Sequence, residues 1–248
     1  MTDRTELPPA RRRRVSTTLR VIAAGVVVLF VVALFWAIRV GSPKVAPTSG
    51  VDGLDVPWSS PAADHFVDEI THPWLPLTPG ARWEFAVEVE DRPLTLTVDA
   101  ATEVVEGITA TVLRQGEDWT AHVAQDVDGN VWLLALAVPG DTERSWSIAA
   151  GAPAGLVLPA EPRRADGHAV AAPHGEVTLR LSVEGPTSRP VETGSGTYDD
   201  VLVLALATVP RDPGEYTREW TVDLARGVGP VMVSSHADGV ATLEAHTD

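Results

Sequence analysis

The chain of 248 residues contains no cysteine. That excludes disulfides, thiolate metal sites, a cysteine nucleophile and a thioether-linked lipid anchor together. A domain built without disulfides must be held by its core, and about 190 residues are enough to bury one. Lysine is nearly absent as well: Lys44 stands alone against eighteen arginines. With Ala, Val, Gly and Pro abundant, that usage fits a GC-rich bacterial genome. No phosphate-cradling loop or dinucleotide fingerprint is present. Gly194–Ser195–Gly196 lacks the spacing of a nucleophile elbow and reads as a loop before a strand.

Positive charge is scarce beyond residue 40. Residues 1–40 hold seven arginines and two acids, which leaves 12 of 19 basic and 32 of 34 acidic groups for residues 41–248, a formal charge of −20. A surface that acidic repels phosphate backbones, so nucleic acid is excluded as an expected partner.

What is abundant is one apolar run. Residues 21–38 (VIAAGVVVLFVVALFWAI) contain no polar side chain. At about 1.5 Å per residue a helix of that length spans roughly 27 Å, the thickness of a bilayer's hydrocarbon. Arg20 and Arg39 bracket it, and Trp36 sits where an indole prefers the interface. Arg11, Arg12, Arg13, Arg14 and Arg20 precede the run, so the positive-inside rule places the N-terminus in the cytoplasm. A cleaved signal peptide is the alternative, but a cut after Ala37 leaves Phe35 at −3, one after Gly41 leaves Arg39 there, and one after Ser42 puts Pro43 at +1. The expected layout is a cytoplasmic basic tail (1–20), a single transmembrane helix (21–38), a flexible Gly/Pro/Ser/Thr-rich stalk (39–57) and an extracytoplasmic β domain (58–248). The bilayer is then one partner, through residues 21–38.

After Gly80 the hydrophobic period becomes two. Trp83, Phe85, Val87 and Val89 alternate with polar residues, as do Leu94, Leu96 and Val98. Further strands are expected at 108–113, 119–125, 131–138, 177–183, 201–208, 217–224, 230–234 and 240–243, with turn signals at Glu106–Gly107, Asp128–Gly129–Asn130 and Asp238–Gly239. Residues 131–138 and 201–208 are apolar on both faces and should be covered on each side. Residues 149–175, rich in Ala, Pro and Gly, read as one long connection. The fold class expected is mainly β: an antiparallel curved sheet, either a half-barrel or a sandwich, behind the N-terminal helix.

Three segments carry a family likeness. HPWLPLTPGARWEF, then EDWTAHVAQDVDGNVW with Ser145–Trp146, then TYDDVLVL and YTREWTVDLARGVGPV resemble a functionally uncharacterised family of bacterial exported β-rich proteins. Its members open on Asn-Pro-aromatic-x-Pro-Leu-x-Pro-Gly, carry an Asp-Gly-Asn-Val-Trp hairpin and close on Gly-Val-Gly. The resemblance covers roughly residues 66–235 and implies architecture rather than chemistry. His72 departs from the usual Asn, Leu133–Leu134 from the usual aromatic, and Trp220–Thr221 from an aromatic cluster.

Few constellations offer chemistry. On a helix over residues 64–71, His65, Glu69 and His72 would share one face, and two imidazoles with a carboxylate suit zinc. Pro73 disturbs that geometry at His72, so these three are weak metal candidates. Asp126, Asp128 and Asn130 imitate a calcium loop, but Gly129 comes two positions early and Ala137 stands where the bidentate Glu belongs. A hairpin tip is the plainer reading. Of seven tryptophans beyond the apolar run, Trp83, Trp119, Trp132 and Trp220 fall in strands and should fill the core. Trp58 and Trp74, in Pro-rich segments, are expected at the surface, where indoles could stack on sugars. No catalytic residue and no cofactor is expected. The reading is a non-enzymatic, membrane-anchored binding module of the cell envelope, with an envelope protein, glycan or lipid as partner. The alternatives are an apolar-ligand carrier with a half-barrel cavity and a hydrolase whose site is assembled from distant residues.

Overall fold

The computed structural model describes residues 60–88, 93–171, 177–187, 189–208, 217, 219–235 and 239–248. Residues 1–59, with the tail, the apolar run, the stalk and Trp58, lie outside them. Among the described residues no helix is long and apolar enough to cross a membrane.

Among the described residues strands dominate. First come the two-residue Phe66–Val67 (β1), Arg82–Val87 (β2), Leu94–Val98 (β3), Glu103–Val105 (β4) and Ile108–Gln115 (β5). Trp119–Asp126 (β6), Val131–Val138 (β7), Asp141–Ser147 (β8), Gly155–Leu158 (β9) and Gly167–Ala171 (β10) follow. Then run Val177–Pro186 (β11), the short pair Val191–Thr193 (β12) and Gly196–Tyr198 (β13), Val201–Thr208 (β14), Glu219–Ala225 (β15), Gly229–Ser235 (β16) and Gly239–Thr247 (β17). Among the described residues the helical turns are two short 3-10 segments, Ala63–His65 and Ile148–Ala150.

One antiparallel sheet holds fifteen strands, ordered β10-β11-β14-β15-β16-β17-β2-β3-β5-β6-β7-β8, with β1 on β6, β4 on β5 and β9 on β7. β12 and β13 pair only with each other. Chain neighbours are mostly sheet neighbours, as short turns between alternating strands dictate. The long-range closure is β17 on β2, which joins the C-terminal half to the N-terminal half. Near the far edges the sheet curls back on itself. A Cβ on Gly155 in β9 would stand 2.7 Å from Val170 Cγ1 in β10, although no ladder joins the two strands.

The inner face packs into a single core. Trp83 and Phe85 from β2, Trp119 from β6, Leu133 and Leu136 from β7, Leu204 from β14 and Trp220 from β15 are all buried in it. Burying each such side chain contributes roughly 1.5–3 kcal/mol. A smaller cluster on the outer face joins Ile108, Ala110, Ala124, Trp132, Leu134 and Leu156, with Phe66 and Ile148 laid over them. Thus β7 is buried on both faces, as its doubly apolar sequence requires. β14 differs: Leu202, Leu204 and Leu206 are buried, while Val203, Ala205 and Ala207 are half-exposed on the other side. Central position in the sheet did not bring it a second cover.

Two further expectations need correction. The helix over 64–71 does not form. A 3-10 turn ends at His65 and the chain extends into β1, pairing Phe66 with Asp126 and Val67 with Gln125. Residues 149–175 are not one connection, since they contain β9 and β10.

Candidate functional site

With no helix over residues 64–71, the three weak zinc candidates do not share a face. His65 and Glu69 are exposed, whereas His72 is 2 % exposed. Its Nε2 meets the Pro159 carbonyl at 2.9 Å, and its Nδ1 accepts from the Trp74 amide at 3.3 Å. Donation to a carbonyl and acceptance from an amide fix the imidazole as neutral, and burial pushes its pKa below the usual value. An Asn side chain would carry the same donor and acceptor. Among the described residues no group of three His, Asp or Glu could hold a metal ion.

The Asp-Gly-Asn hairpin is a structural knot. Asp126 Oδ1 accepts from the amides of Asp128 (3.0 Å) and Asn130 (2.8 Å). Its Oδ2 accepts from Asn130 Nδ2 and Trp132 Nε1, both at 2.8 Å. Asn130 Oδ1 in turn accepts from the Ala160 amide at 2.9 Å. Gly129 takes φ 95° at the tip, which a side chain would resist. Four N–H donors already surround this carboxylate, so it is spoken for, and a cation would meet hydrogens rather than lone pairs.

The tryptophans are equally committed. Trp83, Trp119, Trp132 and Trp220 lie in the core as their strand positions predict, and Trp146 is buried beside them. Trp74 overturns the surface expectation: it is 7 % exposed, with the Arg226 guanidinium 4.2 Å above its ring. Arg226 is held there by Asp200 at 2.7 Å. Among the described residues, then, no indole stands ready to stack on a sugar.

Histidine–carboxylate pairs occur at His122–Glu103 and at His246–Asp248, where the imidazole stacks on Trp83. On the outer face, Asp99 takes both its oxygens to Arg114 Nε (2.9 and 2.7 Å), and Arg114 Nη1 donates to Thr120 Oγ1 at 2.7 Å. Glu103 holds His122 Nε2 at 2.9 Å. His122, Ala135 and Ser147 fall in one cross-strand row, which resembles a triad on paper. It is not one. His122 Nδ1 is buried without a polar partner among the described residues, Ala135 stands between, and Ser147 Oγ accepts from the Ala149 amide as an N-cap. Ser195 hydrogen-bonds Thr193 Oγ1 (2.9 Å) and Tyr198 OH (3.0 Å) within the β12–β13 pair. His236 lies outside the described residues.

Two buried titratable groups remain. His168 is buried, and burial holds its pKa below the usual value against the pull of Asp166. Asp223, on the outer face between Val203 and Met232 in register, is raised to about 6 by burial alone.

One concavity on the described surface brings two arginines into the same lining as a glutamate. An open groove of about 540 Å³ is lined by Arg164, Glu184, Pro186, Thr187 and Arg189. No sequence signal marks it, because its arginines are 25 residues apart and belong to different connections.

No family model matches the chain, and no curated protein does. Two solved structures align with 70 % of this chain and 98 % of their own. One is a candidate lipoprotein from Parabacteroides distasonis, at 13 % identity and a TM-score of 0.35. The other is a candidate exported protein with a YmcC-like fold from Bacteroides fragilis, at 12 % identity and 0.38. Alignments at these scores carry no statement about this chain's activity.

Proposed function

We propose that the chain is a non-enzymatic binding module held at the bacterial cell membrane. Residues 21–38 form the anchor, residues 1–20 stay in the cytoplasm, the stalk of residues 39–57 spaces the domain from the bilayer, and the β domain stands outside. Its partner is another component of the envelope.

The observation that carries this reading is the state of the sheet's interior. The residues a half-barrel carrier would turn toward an apolar ligand (Trp83, Phe85, Leu96, Leu133, Leu204) are packed against one another at 2 % exposure or less. The polar constellations are likewise closed on themselves, in the Asp126 knot and the Glu103–His122 pair. What such a domain presents to a partner is its outer surface. The apolar stretch supports the anchor, and the formal charge of −20 on residues 41–248 repels anionic headgroups from most of the domain's surface.

Protease added to spheroplasts should shave residues 60–248 from intact membranes. Photo-cross-linking from outer-face positions such as Val203 or Thr221 should capture an envelope component. A domain protected until the membrane is lysed overturns the topology, and cross-linking that captures nothing overturns the binding role.

A further inference from the structure

Residues 41–248 carry 32 acidic and 12 basic side chains, so every arginine has acids to choose from. Four of the described ones have chosen. Arg82 pairs with Glu84, Arg114 with Asp99, Arg163 with Glu161 and Arg226 with Asp200. Arg164 and Arg189 have no carboxylate partner among the described residues, and both line the groove. Arg180, similarly free among the described residues, lies away from it, further back along β11.

Both groove arginines are set by backbone, not by salt bridges. Arg164 rides on a turn closed by the Asp166 amide on the Arg163 carbonyl (3.0 Å) and by Asp166 Oδ2 on the Arg163 amide (2.7 Å). The turn is docked to β11 from both sides: the Ala165 amide donates to Val183 O at 2.8 Å, and the Val183 amide to Asp166 O at 2.9 Å. Ala165 takes φ 71° there, a left-handed conformation that costs a non-glycine residue roughly 1–2 kcal/mol. Beneath it, Gly185 (φ 96°) sits at the β11 bulge, and a Cβ there would come 3.4 Å from Arg164 Cβ and 3.5 Å from its Cγ. The Arg164 stem thus lies in ordinary contact distance over Gly185, whose positive φ is what a side chain would resist. Arg189 is fixed by Thr187, whose Oγ1 accepts the Arg189 amide at 3.0 Å and donates to its carbonyl. The one acid in the groove, Glu184, is engaged by Ser182 Oγ at 3.2 Å.

We infer that this groove is an oxyanion site that takes a phosphate-bearing group between the Arg164 and Arg189 guanidiniums. Guanidinium forks match the tetrahedral oxygens of phosphate and hold it through charge-assisted hydrogen bonds. On a domain otherwise so acidic, an anion is repelled from most of the surface and finds its opposite charge here. The group is either free phosphate or the headgroup of an anionic lipid, since both offer the same oxygens. This site stands apart from the anchoring proposed above.

The test uses the full chain in a neutral detergent, read by 31P NMR against inorganic phosphate and against micelles doped with phosphatidylglycerol. Arg164→Gln/Arg189→Gln removes the charge at exposed positions, and an unchanged melting temperature shows that the fold is kept. Saturable inorganic phosphate binding, weakened at least tenfold in the double variant, supports the site with the free anion as ligand. Binding of the doped lipid alone, lost in the same variant, supports it with a headgroup as ligand. Arg180→Gln should change neither. Binding of neither probe, or binding that the double variant leaves intact, overturns the inference.

Discussion

Asp223 sits where a carboxylate should not. It is 8 % exposed on the outer face, in register with Val203 on β14 and Met232 on β16, and burial lifts its pKa from 3.8 to about 6. Unfolding releases it into water, where it ionises at 3.8. The sign follows from proton counting: between those two values the folded chain binds more protons than the unfolded one. Asp223 therefore favours folding at low pH, and that contribution is lost as pH rises through about 6. A shift of about two units, at 1.36 kcal/mol each, makes the ionised group cost about 3 kcal/mol at pH 8 and about 0.5 kcal/mol at pH 4. Asp223→Asn keeps the volume and removes the charge. For a domain of this size each kcal/mol moves Tm by about 2–4 °C, so the variant should melt roughly 6–12 °C higher than the parent at pH 8 and nearly with it at pH 4. Intrinsic tryptophan fluorescence reports the transition, since the described indoles are all buried. An equal loss of stability at both pH values would refute the reasoning. It would mean that the ionised carboxylate is a wanted partner in the folded state.

Other substitutions probe the contacts that close the fold. His72→Ala removes the bridge between Pro159 O and the Trp74 amide and should cost about 3 kcal/mol in urea unfolding, whereas His72→Asn should retain most of the stability. Because burial holds the folded His72 pKa below 6.5, protonation favours the unfolded chain, and stability should fall as pH drops below that value. This dependence should be shallower in the Asn variant. Asp126→Ala strands four N–H donors at once and should cost at least about 3 kcal/mol, with a changed Trp132 environment in near-ultraviolet dichroism. Ala165→Gly relieves a positive φ and should raise stability by about 0.5–1 kcal/mol in the same urea titration.

The strands that could be read from sequence are those whose side chains settle their own burial. Val131–Val138 and Val201–Thr208 were legible to the residue, because eight residues dominated by β-branched and leucine side chains, bounded by turn formers, leave little alternative. β9 and β10 were hidden because Gly155 and Gly167 open them and Pro- and Ala-rich sequence surrounds them. Their strand character comes from partners, with Gly155 chosen for the space Val170 needs. β8 (DTERSWS) opens on charged residues and reads as loop until β7 supplies the ladder. The helix expected over 64–71 lost to β6, which offered Phe66 and Val67 backbone partners that an isolated turn could not match. The groove was invisible for a different reason. Arg164 and Arg189 line one groove because the 163–166 turn docks on Val183 while β11 ends at Pro186, and no spacing rule encodes such a juxtaposition.

The path by which the chain enters its domain has a mechanical consequence. Ser60 is tied to the sheet by one hydrogen bond, from the Ala154 amide to its Oγ at 2.7 Å. Past it lies β1, two residues wide, and then Thr71, whose amide donates to Gln125 Oε1 at 2.9 Å. These contacts lie in series ahead of the buried His72–Trp74 segment, so loosening the entry would expose Ile70 before it reached His72. The first dozen described residues thus dock on the sheet through a few hydrogen bonds, with Ile70 in the core and Phe66 over the outer cluster as their apolar anchors.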